Sequence, residues 1–131
     1  CSRDWSSDVC SSDLDGGAIV LLASVNAFQT EARFADYNAS KGAAVLLTRT
    51  LAIDWAARGI RVNAVCPGYV RTPMTEAYLA DPATLAGILS HVPLGRVSSP
   101  DEIAATIAFL ASPEAAYITG SSVIIDGGRS A

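Results

Sequence analysis

Cysteine is scarce in this chain: three in 131 residues, at positions 1, 10 and 66. That is too few, and too oddly placed, for a disulfide framework or a zinc site, and no metal is expected. Histidine is scarcer still, with His91 alone, and a lone histidine is more often structural or solvated than catalytic. No apolar stretch reaches the ~18 residues a membrane span needs, so no membrane partner is expected. Basic charge is not in excess, since nine Lys and Arg face thirteen Asp and Glu for a net −4. A nucleic-acid or anionic-surface partner is therefore disfavoured. Half of the residues are hydrophobic and only 17% are charged, which excludes intrinsic disorder and supplies a core. A basic n-region and an apolar h-region are both missing, and a cytoplasmic location is the expectation.

The acidity is concentrated at one end. Residues 1–15 hold Asp4, Asp8, Asp13 and Asp15 against Arg3 alone. Within them, CSRDWSSDVCSSDL repeats Ser-Ser-Asp and keeps no helical or strand period. Residues 1–14 read as a non-native or disordered segment. Residues 4–14 resemble a translated sequencing adapter, which belongs outside any reasoning about the fold. On that reading residues 15–131 are the native part, and sequence upstream of them is missing.

Beyond Gly16-Gly17 the chain alternates between strand-like and helix-like patterns. The run AIVLLA at 18–23 suits a strand buried on both faces, as in a parallel sheet. Residues 25–36 are unperiodic and read as a loop. An Ala- and Leu-rich stretch from Tyr37 to Arg58 predicts the longest helix, stopped by Gly59. Arg61–Cys66 reads as a second strand, closed by Pro67-Gly68, and short helices are predicted near 73–80 and 82–91 between prolines. Ser99-Pro100-Asp101-Glu102 is a capping-box helix start, with the helix running to Leu110. Ser122–Ile125 forms a third strand before Asp126-Gly127-Gly128. Strands and helices in this order predict an α/β fold, a Rossmann-like doubly wound parallel sheet represented by its last three strands.

Tyr37 and Lys41 stand four residues apart on one face of the long helix. A positive charge that near a phenol favours its deprotonated form, which suits general acid–base work. Alone, such a pair is usually structural. Ser24 lies thirteen residues before Tyr37, at the carboxyl tip of a predicted parallel strand, where open α/β sheets place their ligands.

Ser24, Tyr37-x-x-x-Lys41, then Asn63-Ala64-Val65-Cys66-Pro67-Gly68 with Thr72, resemble the short-chain dehydrogenase/reductase superfamily in its ordinary, non-extended form. Pro93-Leu94-Gly95-Arg96, the 100–110 helix, and Thr119-Gly120 leading to Asp126-Gly127-Gly128 continue the match in order. The resemblance implies an NAD(P)-dependent oxidoreductase that interconverts a carbonyl and a secondary alcohol by hydride transfer. Tyr37 is implied as general acid/base, Lys41 as the group that eases its proton loss and holds the nicotinamide ribose, and Ser24 as the hydroxyl that polarises the substrate oxygen. Pro67, Gly68, the Val70 backbone and Thr72 are implied to cup the nicotinamide carboxamide. A homo-oligomer and a small carbonyl or alcohol substrate are implied as partners. The glycine-rich cofactor fingerprint of the family is absent from the sequence, so the choice between NAD and NADP is open.

Two further readings compete. As a catalytic half without its nucleotide-gripping half, the chain is expected to be a catalytically silent fragment. A non-catalytic oligomerisation or binding module would ordinarily have lost Tyr37 or Lys41, and both are present. Cys66 ends an apolar strand and reads as a small core residue. Asn38-Ala39-Ser40 fits a glycosylation sequon, but it interrupts the helix that carries Tyr37.

Overall fold

The computed structural model describes residues 16–30 and 32–131, and the Ser- and Asp-rich segment 1–14 lies outside them. Three strands, β1 (Gly17–Leu22), β2 (Ile60–Pro67) and β3 (Ser122–Ile125), form one parallel sheet in the order β1-β2-β3. Leu22 pairs with Val65, and Val65 in turn with Val123, so the three carboxyl ends lie together. The longest helix, α1 (Ala35–Trp55), leads from β1 towards β2. Two short helices, α2 (Pro73–Leu79) and α3 (Pro82–Leu89), and then α4 (Pro100–Ala111) lie between β2 and β3.

The period-two geometry of β2 distributes the core. Ile60, Val62, Ala64 and Cys66 point to one face and pack with Val45 and Ala52 of α1. Val65 points to the other and packs with Ile103 and Leu110 of α4, alongside Val20, Val123 and Ile125. With helices on both faces, β2 is largely buried on each, and fully burying each large apolar side chain is worth roughly 1.5–3 kcal/mol. Leu51 and Trp55 are partly buried against the first face.

Two polar residues interrupt the α4 face, and both serve as ties. Asn63 is fully buried; its Nδ2 donates to the Ile118 carbonyl at 2.8 Å and its Oδ1 accepts from the Ser121 N–H at 3.0 Å. Arg61 donates from Nη1 to the Leu110 carbonyl at 2.7 Å and from Nη2 to the Ser112 carbonyl at 2.9 Å. The last turn of α4 has no basic residue of its own. Arg61 supplies from the sheet the positive charge its terminal carbonyls favour.

The structure revises several expectations. Among the described residues β1 ends the sheet and is only partly buried, with Leu22 56% exposed, short of the full burial expected. The predicted loop at 25–36 opens with a 3-10 turn at Val25–Ala27, and α1 begins at Ala35. At its other end α1 tightens into a 3-10 turn over Ala56–Arg58, and Gly59 closes it in the left-handed region at φ 71°. α2, α3 and α4 each begin with a polar residue followed by proline: Thr72-Pro73, Asp81-Pro82 and Ser99-Pro100. Proline has no N–H to waste at a first helical position, and the preceding residue is biased to the extended backbone a cap requires. Among the described residues no helix is long and apolar enough to cross a membrane.

Candidate active site

Two hydrogen bonds tie α1 to the end of β1 and the turn that follows it, and Ser24, Tyr37 and Lys41 lie along that junction. Lys41 donates from Nζ to the Leu22 carbonyl, the last of β1, at 3.0 Å. The same ammonium lies 5.5 Å from the centroid of the Tyr37 ring. Phe34 meets that ring edge-on at 6.3 Å, and Tyr37 itself is 40% exposed. Ser24 follows two residues after β1, is buried, and caps the Val25–Ala27 turn by accepting from the Asn26 N–H at 3.2 Å. Its hydroxyl proton is not used in that bond. Asn26 Nδ2 then donates to Asn38 Oδ1 at 3.1 Å, fixing the turn against the start of α1.

Cys66 lies beneath this group. Burial pushes its thiol up, while the Ser24 backbone N–H and the Lys41 charge act in the opposite, lesser direction. Its full burial agrees with a core role.

The stretch leaving β2 is held just as firmly. Ser98 N–H donates to the Tyr69 carbonyl at 3.0 Å, and Arg71 N–H donates to the Ser98 carbonyl at 2.9 Å. Because the residues flanking Val70 make both bonds, Val70 turns its own N–H and carbonyl to the opposite side. There the Val70 carbonyl accepts from Thr75 Oγ1 at 2.6 Å. Thr72 caps α2, its N–H donating to Thr75 Oγ1 at 2.8 Å. Pro67 ends β2, and the Gly68 N–H donates to the Ile125 carbonyl at 3.0 Å. A Cβ on Gly68 would come within 2.8 Å of Asp126 Cβ. The bare backbone at Gly68 is thus required by Asp126 of the same chain.

Asp126 organises the turn after β3. It accepts from Gly128 N–H at 3.0 Å, from Ser130 N–H at 2.8 Å, and from the Ser130 hydroxyl. Partial burial would raise its carboxyl, but these bonds outweigh it and hold the group below the usual carboxylate range. Beside the turn, Arg129 stacks 4.8 Å from the centroid of the Tyr69 ring. A cleft of about 490 Å³ opens there, lined by Gln29, Tyr69, Thr84, Ile88, His91 and Arg129 among others. Gln29 lies in the 25–36 stretch and Thr84, Ile88 and His91 in the 82–91 stretch, while Tyr69 and Arg129 follow β2 and β3, where parallel sheets place their ligands.

A doubly faced parallel α/β unit of Rossmann type, with a hydroxyl, a phenol and an ammonium gathered at the carboxyl ends of its strands, is the class of protein defined by fold and site. A family model described as enoyl-(acyl carrier protein) reductase matches residues 10–130. The chain belongs to the short-chain dehydrogenase/reductase family. It is 49% identical over 114 residues to galactitol 2-dehydrogenase (L-tagatose-forming) of Cereibacter sphaeroides, covering 86% of this chain and 45% of that protein. It is 45% identical over 112 residues to 3beta-hydroxysteroid dehydrogenase 1 of Eggerthella lenta, covering 86% and 43%. A solved 4-hydroxyisoleucine dehydrogenase complexed with NADH superposes with a TM-score of 0.87 at 39% identity, covering 92% of this chain and 49% of that one. A candidate 2-deoxy-d-gluconate 3-dehydrogenase from Agrobacterium tumefaciens with bound NADP superposes with a TM-score of 0.85 at 42% identity, covering 87% and 46%. The chain thus spans less than half the length of these relatives.

Proposed function

We propose that residues 15–131 are the catalytic half of an NAD(P)-dependent oxidoreductase that interconverts a carbonyl and a secondary alcohol. The observation that carries this reading is the placement of Lys41, tied to the end of β1 and held 5.5 Å from the Tyr37 ring. The residues present fit the nicotinamide-ribose end of a dinucleotide. Lys41 has further N–H donors beyond the one given to Leu22, and Val70 turns its N–H out of the 67–72 stretch. A bound nicotinamide would supply or accept the hydride.

The chain's own residues handle the proton and the oxygen. Tyr37 Oη exchanges a proton with the substrate oxygen, beside the Lys41 ammonium. Ser24, held by its turn, directs its hydroxyl proton at the same oxygen. Pro67, Gly68, Val70 and Thr72 form the wall on the β2 side. No G-x-G-x-x-G phosphate loop occurs in the sequence, so the pyrophosphate and adenosine would be gripped by residues outside this chain. By itself the chain is then catalytically silent. Exposed Leu46, Leu47 and Ile53 on α1 support a homo-oligomer, and a cytoplasmic location completes the reading.

The test is Tyr37→Phe in the complete enzyme. Turnover is expected to fall by about 10²–10⁴-fold with substrate binding largely retained. Full turnover in that variant would overturn the mechanism.

A further inference from the structure

The hydroxyl and the phenol of the proposed site sit on different elements. Ser24 belongs to the sheet: the Ala23 N–H before it donates to the Val65 carbonyl of β2 at 2.8 Å, and Val25 after it is buried. Tyr37 belongs to the first turn of α1, a helix whose N-cap, Phe34, makes no side-chain capping bond. Such an end leaves its first N–H groups without intrahelical partners and is where a helix frays. Residues 32–37 are all exposed, and Arg33 takes a left-handed φ of 71°. Burial therefore does not fix the start of α1 against the Ser24 turn.

Asn26 spans that gap with its two ends. Its backbone N–H donates to Ser24 Oγ at 3.2 Å, and its side-chain Nδ2 donates to Asn38 Oδ1 at 3.1 Å. Asn38 is the residue next to Tyr37. One residue thus links the Ser24 oxygen to the turn that carries the phenol. Ala27 and Ala44 also pack around Ala23 and Val45, about two turns further along α1. Apolar contact is non-directional, whereas a hydrogen bond sets orientation as well as distance.

Ser24 and Tyr37 act on one substrate oxygen only when both are within hydrogen-bond reach of it, and a displacement of about 1 Å can cost about 10²-fold in rate. We propose that Asn26 is a positioning residue, which through its bond to Asn38 holds the Ser24 hydroxyl and the Tyr37 phenol at the separation that proton transfer requires. The proposal rests on the oxidoreductase reading of the same site. The test uses the complete enzyme with NAD and with NADP on secondary alcohols from propan-2-ol and cyclohexanol to glucitol. Asn26→Ala removes the side chain, and Asn26→Leu keeps its volume without the bond; both retain the backbone N–H to Ser24. Asn26 is only partly buried, so both variants are expected to fold. In each, kcat should fall about tenfold, with KM and the calorimetric affinity for the cofactor changed less than about twofold. In a Ser24→Ala background the same substitutions should cost less than about twofold further, because there is no hydroxyl left to align.

Turnover within about twofold of wild type in both variants would overturn the proposal, as would a loss confined to KM or a tenfold loss that persists in the Ser24→Ala background. Recovery of turnover by Asn26→Leu would overturn it too, since volume and not the bond would then be what matters. Absence of turnover with every alcohol, or full turnover in both Tyr37→Phe and Ser24→Ala, would remove the oxidoreductase reading and the proposal with it. Impaired turnover in those two variants beside full turnover in Asn26→Ala would leave that reading standing and remove only the role of Asn26.

Discussion

Replacing Arg61 tests whether the sheet holds the end of α4. Arg61→Met keeps the aliphatic stem and removes the guanidinium. Two carbonyls, of Leu110 and Ser112, lose charged donors at 2.7 and 2.9 Å, and a longer contact to the Ile118 carbonyl at 3.4 Å goes with them. Hydrogen bonds to a charged group contribute about 1.5–3 kcal/mol each, and a cation at a helix carboxyl end about 0.3–1 kcal/mol more. These contributions overlap, and water reaches the half-buried side chain to replace part of what is lost. The expected cost is therefore about 2–4 kcal/mol. Arg61→Lys offers one compact ammonium where two carbonyls lie apart, so it should recover only part of that. Urea unfolding of the complete enzyme measures both, with the m-value unchanged if only stability has moved. A midpoint for Arg61→Met corresponding to less than about 0.5 kcal/mol, or full rescue by Lys, would show that the α4 end is satisfied without Arg61.

Local geometry sets two more expected outcomes. Arg96 donates to Glu102 at 2.6 and 2.8 Å and Ser99 N–H donates to it at 2.9 Å, so its carboxyl is held down from 4.5 to about 2. A depressed carboxyl stabilises the fold above its unfolded pKa and ceases to as pH falls through its folded one, so this contribution fades from about 4.5 to about 2. The stability difference between wild type and Glu102→Gln should be full above that window and shrink across it as pH falls; a difference that persists unchanged below it would refute the linkage. Gly68→Ala must push against Asp126 Cβ at 2.8 Å and should cost about 1–3 kcal/mol. Gly42→Ala, in the interior of α1 with nothing within 4 Å, should stabilise by about 0.5–1 kcal/mol. Thermal melts that show the same sign for both would contradict the packing.

The apolar runs at 18–23 and 61–66 and the polar-proline starts before 73, 82 and 100 made most of the elements legible, because strand burial and helix entry are local in sequence. The partial burial of β1 was not legible. AIVLLA reads as a buried strand whatever stands beside it, and its exposure depends on which neighbours the sheet has. The turn after Ser24 was also hidden, since one serine bonding the N–H two residues on leaves no periodic trace. Arg61 interrupts an apolar run in the sequence, but its partners lie 49 and 51 residues away.

The structure gives two cations contrasting surroundings. Arg61 and Lys41 each reach a carbonyl at the end of a neighbouring element: Arg61 from the sheet to α4, Lys41 from α1 to β1. The Arg61 guanidinium is directed at backbone carbonyls in a part-buried setting, and its electrostatic effect is absorbed by the helix end. Lys41 gives one N–H to Leu22 and lies beside an exposed phenol, with N–H capacity left over. A cation whose donors are matched to carbonyls belongs to stability. One anchored at a single point beside an exposed phenol, at the carboxyl edge of a parallel sheet, fits the role proposed for Lys41. By that criterion Arg61→Met should move the unfolding midpoint. Lys41→Met should instead lower turnover while costing less stability than the Arg61 change, because only one carbonyl loses its donor.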